Sequence, residues 1–146
     1  MAYCERLSEQ LAVVGTIDPI SQGGALIGTD IVTMTFHRRC LFTLLIGAAV
    51  DAAGVLVEIR EGLPAFGTPL VLLTSAGVDV DVANWCYIWE VTAEAMGDGY
   101  TQLRGDFTPL GAGPTLMSVL VQADVERYHP GSDYNIVGTT IMGVAN

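Results

Sequence analysis

Two histidines, three cysteines and sixteen carboxylates are the side chains that could carry catalysis or hold a metal. His37 lies three residues before Cys40, and a thiol beside an imidazole is the start of a nucleophilic dyad. In an extended chain, residues three apart point to opposite faces and stand about 10 Å apart. The segment Phe36-His37-Arg38-Arg39-Cys40 therefore reads as a surface turn with two solvated arginines. His129 lies far from His37 along the chain, and Cys4, Cys40 and Cys86 follow no zinc-ligand spacing. Without a CxxC, and with an odd count, the cysteines read as reduced, buried thiols. Asp79 and Asp81 alternate with Val78, Val80 and Val82, and Asn84 follows. Calcium needs several such oxygens on a loop, so a solvated strand face is the better reading. Glu58 and Glu90 are the remaining candidates, as a glycosidase pair, but nothing in the sequence sets their separation. The chain holds no GxSxG, HExxH, GxGxxG or P-loop. No catalytic residue, metal or cofactor is expected, and the chain reads as a non-enzyme.

The elements around these residues point the same way. A chain of 146 residues fits one domain with its own core. Apolar residues make up 51% and charged residues 15%, against about 25% charged in an ordinary domain. Such a chain is not disordered, and some of its apolar surface is expected to lie under a partner. The net charge is −10, and all six bases are arginines. Without lysine there is no Schiff-base chemistry and no Walker lysine. With this acidity, neither nucleic acid nor an anionic membrane surface is an expected partner. Met1-Ala2-Tyr3-Cys4-Glu5-Arg6 leads into no apolar run, so no signal peptide is expected. The most membrane-like stretch, 40–59, carries Asp51 and Glu58 and two glycines. It falls short of the roughly 18 uncharged residues of a spanning helix.

Seventeen glycines and six prolines separate short runs rich in Val, Ile, Leu and Thr. That pattern predicts an all-β, single-domain β-sandwich. The clearest strands are 86–93, with Tyr87, Trp89 and Val91 on one face, and 116–125, with Met117, Val119, Val121 and Ala123 on one face. Further strands are predicted at 10–17, 30–36, 40–47, 55–61, 69–74, 78–82, 100–107 and 135–142. The run 40–46 is apolar on both faces apart from Thr43. Such a strand sits centrally in a sandwich or faces a second subunit. Asp98-Gly99 fits a hairpin turn, a single helical turn fits 92–96, and 22–28, 62–69 and 109–114 read as loops. Asp18-Pro19 reads as a turn, which makes 1–28 an N-terminal arm, 29–130 the sandwich and 131–146 a tail. The tail holds the uncharged run 136–144, which left free would be an aggregation hazard. Candidate contacts are Leu11, Val13 and Ile17 of the arm, the turn Phe36, His37, Arg38 and Arg39, and Ile136, Val137, Ile141 and Val144 of the tail. Two adjacent arginines suit an acidic patch on a partner.

The segment Leu7-Ser8-Glu9-Gln10-Leu11-Ala12-Val13-Val14-Gly15-Thr16-Ile17-Asp18-Pro19 resembles the start of small virion proteins of tailed bacteriophages. The same order of pieces continues in Asp30-Ile31-Val32-Thr33-Met34-Thr35-Phe36-His37-Arg38, an apolar strand ending at Gly47, Gly99-Tyr100-Thr101-Gln102-Leu103-Arg104, and Arg127-Tyr128-His129-Pro130. The resemblance covers most of 7–130 and leaves 131–146 unmatched. It rests on structural motifs and carries over no catalytic residue. It implies a jelly-roll-like sandwich on the phage particle, a capsid decoration or cement protein on the head exterior, made in the bacterial host cytoplasm. The implied partners are the major capsid protein and further copies of the chain. A trimer at local three-fold positions is the favoured form, because oligomers close by symmetry. The alternatives are a neck or tail component of the virion, or a receptor- or glycan-binding module.

Overall fold

The computed structural model describes residues 11–49, 54–78, 85–111 and 113–124. Among the described residues, nine strands follow the alternation of apolar and polar residues: β1 (Leu11–Gln22), β2 (Ile27–Gly28), β3 (Val32–Thr33), β4 (Arg39–Ala49), β5 (Val55–Leu63), β6 (Gly67–Val78), β7 (Trp85–Thr92), β8 (Gln102–Pro109) and β9 (Thr115–Asp124). They build two antiparallel sheets, one in the order β1-β9-β4-β7, the other β2-β8-β5-β6 with β3 also on β8. The pairing is nested like one long folded hairpin. β1 pairs with β9, β2 and β3 with β8, β4 with β7, and β5 with β6. Two further pairings, β4 with β9 and β5 with β8, wrap that hairpin into the two sheets.

Inward residues of both sheets share one core. Phe42 and Leu44 of β4, Val119 and Val121 of β9, Val57 and Ile59 of β5, and Leu103 and Phe107 of β8 are all buried in it. The sheets touch where Trp89 of β7 meets Phe107 edge-on, with centroids 6.5 Å apart. Phe42 fits because β8 has Gly105 opposite: a Cβ there would stand 3.0 Å from Phe42 Cδ1 and 2.8 Å from Phe107 Cε2.

The strands expected at 86–93 and 116–125 appear as β7 and β9 with the expected faces inward; β7 ends at Thr92, and 125 lies outside the described residues. The strand expected at 30–36 shortens to β3, and 69–74 joins Val78 in the longer β6. The remainder of the strand expected at 78–82, and that at 135–142, lie outside the described residues. The turn expected at 92–96 is a single 3-10 turn, Ala93–Ala95. Gly99 takes φ 83° in the following hairpin turn.

Residues 11–28 are not an arm. β1 is the edge strand of the first sheet, with Ala12 and Ile17 buried, and β2 belongs to the second. Asp18-Pro19 is a β-bulge rather than a turn: Ile17 faces Val119 and Ile20 faces Met117, so β1 spends one extra residue there. Proline fits because a bulge on an edge strand asks for no ladder hydrogen bond.

Candidate functional site

The side chains with chemical potential do not converge. Cys40 is inward and fully buried. Burial, and secondarily the nearby Asp124 carboxylate, push its thiol up to about 12. It is therefore a neutral core group and no nucleophile. His37 turns to the end of β9, where its Nδ1–H donates to the Asp124 carbonyl. Glu58 and Glu90 sit on the outer faces of different sheets, each beside an arginine. Tyr87 and Trp89 stack along the inner face of β7, 6.1 Å between centroids. Among the described residues no group of three or more His, Cys, Asp or Glu gathers as for a metal. No helix there is long and apolar enough to cross a membrane. A groove of about 290 Å³ opens at the β1 bulge, lined by Ile17, Pro19, Ile20 and Ile27, with Asp18 as its charged member.

The two outer faces differ sharply in chemistry. On the β5–β8 face, Glu58 lies opposite Asp106, and Arg60 opposite Arg104. Like charges directly opposed would destabilise the pairing, but the side chains cross to opposite charges. Arg104 grips Asp106 with two hydrogen bonds, Nε to Oδ1 at 2.8 Å and Nη2 to Oδ2 at 3.0 Å. Arg60 Nη2 donates to Glu58 at 2.6 Å. Arg60 Nε stands 3.1 Å from Asp106 Oδ2 without hydrogen-bond alignment, so that contact is an ion pair only. The two arginines cover Asp106 until it is 2% exposed. Phe66 completes the cover, its ring 4.7 Å from the Arg104 guanidinium carbon. The β5–β6 turn sets Phe66 there through left-handed backbone at Ala65, Phe66 and Thr68 (φ 63°, 53° and 45°). Phe66 lies tight on Gly62, where a Cβ would come within 2.6 Å of its ring. Two cations and two anions balance along the middle of this face, while Leu70 and Val71 of the edge strand β6 are exposed beside them.

The outer face of the β1-β9-β4-β7 sheet is apolar. The register puts Thr43 of β4 between Ile88 of β7 and Leu120 of β9, and Leu45 between Cys86 and Ser118. Leu116 lies across Gly47, where a Cβ would be 3.1 Å from Leu116 Cδ2. Ile88 is 62% exposed, Leu45 48% and Leu116 44%. The charged residues at outward positions of β4, β7 and β9 are Arg39, Glu90 and Asp124, all at one end. Asp124 Oδ1 accepts the backbone N–H groups of Arg38 (2.7 Å) and Arg39 (3.1 Å), which pins the turn before β4 to the end of β9.

The expected contact residues divide accordingly. Leu11 and Val13, opposite Asp124 and Gln122, point to the apolar outer face and are half-buried. Ile17 does not: beyond the first bulge it faces Val119 and packs in the core at 6% exposure, so it is a core residue and no surface contact. Phe36 is exposed at the turn. His37 is mostly covered against Asp124, and Arg39 reaches Glu90 at 3.8 Å. Ile136, Val137, Ile141 and Val144 lie outside the described residues. Sequence reasoning singled out none of Leu45, Ile88 and Leu116. Their signal was the doubly apolar run 40–46, whose outward half now stands at the centre of the face. The Asp106 network was also missed, although Glu58-x-Arg60 and Arg104-x-Asp106 alternate with the strand period.

No protein-family model matches the chain, and no curated protein matches it.

Proposed function

We propose that the chain is a structural protein of a virion, a jelly-roll capsid decoration protein that binds the outside of a tailed-phage head and stabilises the shell. The observation that carries this reading is the exposed apolar face around Leu45, Ile88 and Leu116 in a chain of net charge −10. A lone soluble domain rarely leaves such a patch bare, and assembly proteins need one. The nested strand pairing supports the jelly roll, since two Greek keys wound together give two four-strand sheets of this order. The resemblance of 7–130 to small phage virion proteins supplies the setting. An acidic exterior keeps decorated particles apart in solution, and many identical sites make a modest affinity sufficient.

The test adds purified chain to expanded heads that lack it. The proposal expects saturable binding at a fixed ratio to the shell subunit and a higher temperature of shell disruption. Heads that neither bind the chain nor gain stability overturn it.

A further inference from the structure

We infer that residues 136–144 of this chain join the β1-β9-β4-β7 sheet as a further strand, antiparallel to β7 along its outer edge. The edges of the two sheets differ in how they resist strand addition. β1 has two bulges, with Asp18 and Pro19 in the second. β2 and β3 are two residues long each. β6 shifts register three times against β5 and carries Pro69. Bulges, prolines, charges and shortness are the devices that keep an edge from pairing further. β7 carries no bulge and no proline: all of Trp85–Thr92 pairs with β4 without a shift, and Glu90 is its single charge. Among the described strands β7 is the last on its side of the sheet. Half of its backbone N–H and C=O groups face away from β4, in the regular row that a further strand needs.

Direction, reach and composition select the occupant. β9 ends at Asp124, level with Arg39 of β4 and Thr92 of β7, and 125–146 follow from there. β7 runs towards that same end. A chain that leaves there and turns back therefore runs antiparallel to β7, as neighbours do throughout this sheet. Against the other edge strand, β1, it would run parallel. The outer edge of β7 lies three strand spacings from β9, about 14 Å. Extended, the connection 125–135 reaches more than about 30 Å, and its Pro130-Gly131 reads as a turn. The run 136–144 is close to β7 in length, has no proline and no charge, and is rich in Ile, Val and Thr. It is apolar on both alternating faces, with Ile136, Met142 and Val144 on one and Val137 and Ile141 on the other. That composition suits a sheet that is apolar outside as well as inside, where Ile88 of β7 is 62% exposed. It suits the other sheet less, whose outer face carries the ion network of Glu58, Arg60, Arg104 and Asp106. Attachment to the same chain holds the segment at a concentration on the order of millimolar, so the edge fills from its own tail. The added strand widens the sheet and leaves its outer face open, so the virion reading neither requires it nor falls with it.

Residue-resolved amide hydrogen exchange of the full chain tests the inference. The β7 amides that face β4 are protected in either case, so the set that faces away is the readout. Wild type is expected to protect both sets alike. It is also expected to protect every second amide of 136–144, as a new edge strand does, with cross-strand nuclear Overhauser contacts from 136–144 to β7. In the double variant Thr139→Pro, Thr140→Pro, one of the two lost N–H groups must face β7. There the away-facing β7 amides are expected to exchange at least about tenfold faster while those of β4 and β9 keep their protection. If the double variant loses its circular-dichroism spectrum, the wild-type pattern and contacts decide alone. Wild-type β7 amides that exchange as an open edge overturn the inference, as does protection of β7 without contacts from 136–144. Protection that fades on dilution also overturns it, because a second copy would then supply the strand.

Discussion

Asp124 shows how much one side chain can organise at the end of a strand. Its carboxylate holds the N–H groups of Arg38 and Arg39, and its carbonyl takes the His37 ring. The turn before β4 is thereby fixed to β9, a contact between residues 86 apart. No short-range pattern carries such a pairing, so the sequence showed the turn at 36–39 but not what holds it. Cys40, the next inward residue, gives a sharper test. Its folded pKa is raised from 9.0 to about 12, by burial first and Asp124 second. Between those values the unfolded chain releases the thiol proton and the native chain keeps it. Stability is therefore full below pH 9 and falls as pH rises, by up to about 1.4 kcal/mol per unit. Urea unfolding at pH 8 and pH 10.5 should show that loss in wild type and a flatter dependence in Cys40→Ala. Equal slopes in the two proteins would remove the buried thiol from the account.

At the level of elements, alternation was readable wherever one face meets the core. The inward sets of β7 and β9 follow directly from period-two patterning. β1 was misread because Asp18-Pro19 has the composition of a turn. Composition does not distinguish a turn from a bulge; the partner strand decides, and β9 is about a hundred residues further along. The close approach of the sheets at Gly105 was equally hidden, since a lone glycine in a strand pattern looks like a weak point. Its role is to admit Phe42 and Phe107. Gly105→Ala is expected to lower stability by about 1–3 kcal/mol through overpacking, read as a lower denaturant midpoint at an unchanged m-value. A neutral substitution would mean that the two rings have room to withdraw.

The whole molecule is two-faced. One outer surface carries a network of two acids and two bases on β5 and β8; the other carries Leu45, Ile88 and Leu116, with the charges of β4, β7 and β9 at one end. Both surfaces belong to one small domain with few charges, and Leu70 and Val71 of β6 add exposed apolar area beside the ion network. The doubly apolar run 40–46 made the second legible in outline as a central strand or a subunit contact, and β4 serves as a central strand whose outer half is open. Which strands flank it depends on the wrapping of the nested hairpin, which no local signal reports. The central claim, a shell-binding assembly protein, makes a direct demand on the particle: many equivalent copies. The measurement that tests it is the copy number of this chain in purified virions, by quantitative mass spectrometry against the major capsid protein. Hundreds of copies in a simple ratio to the shell subunit are the predicted result; a dozen or so, as a neck or tail ring would hold, or none, would contradict it.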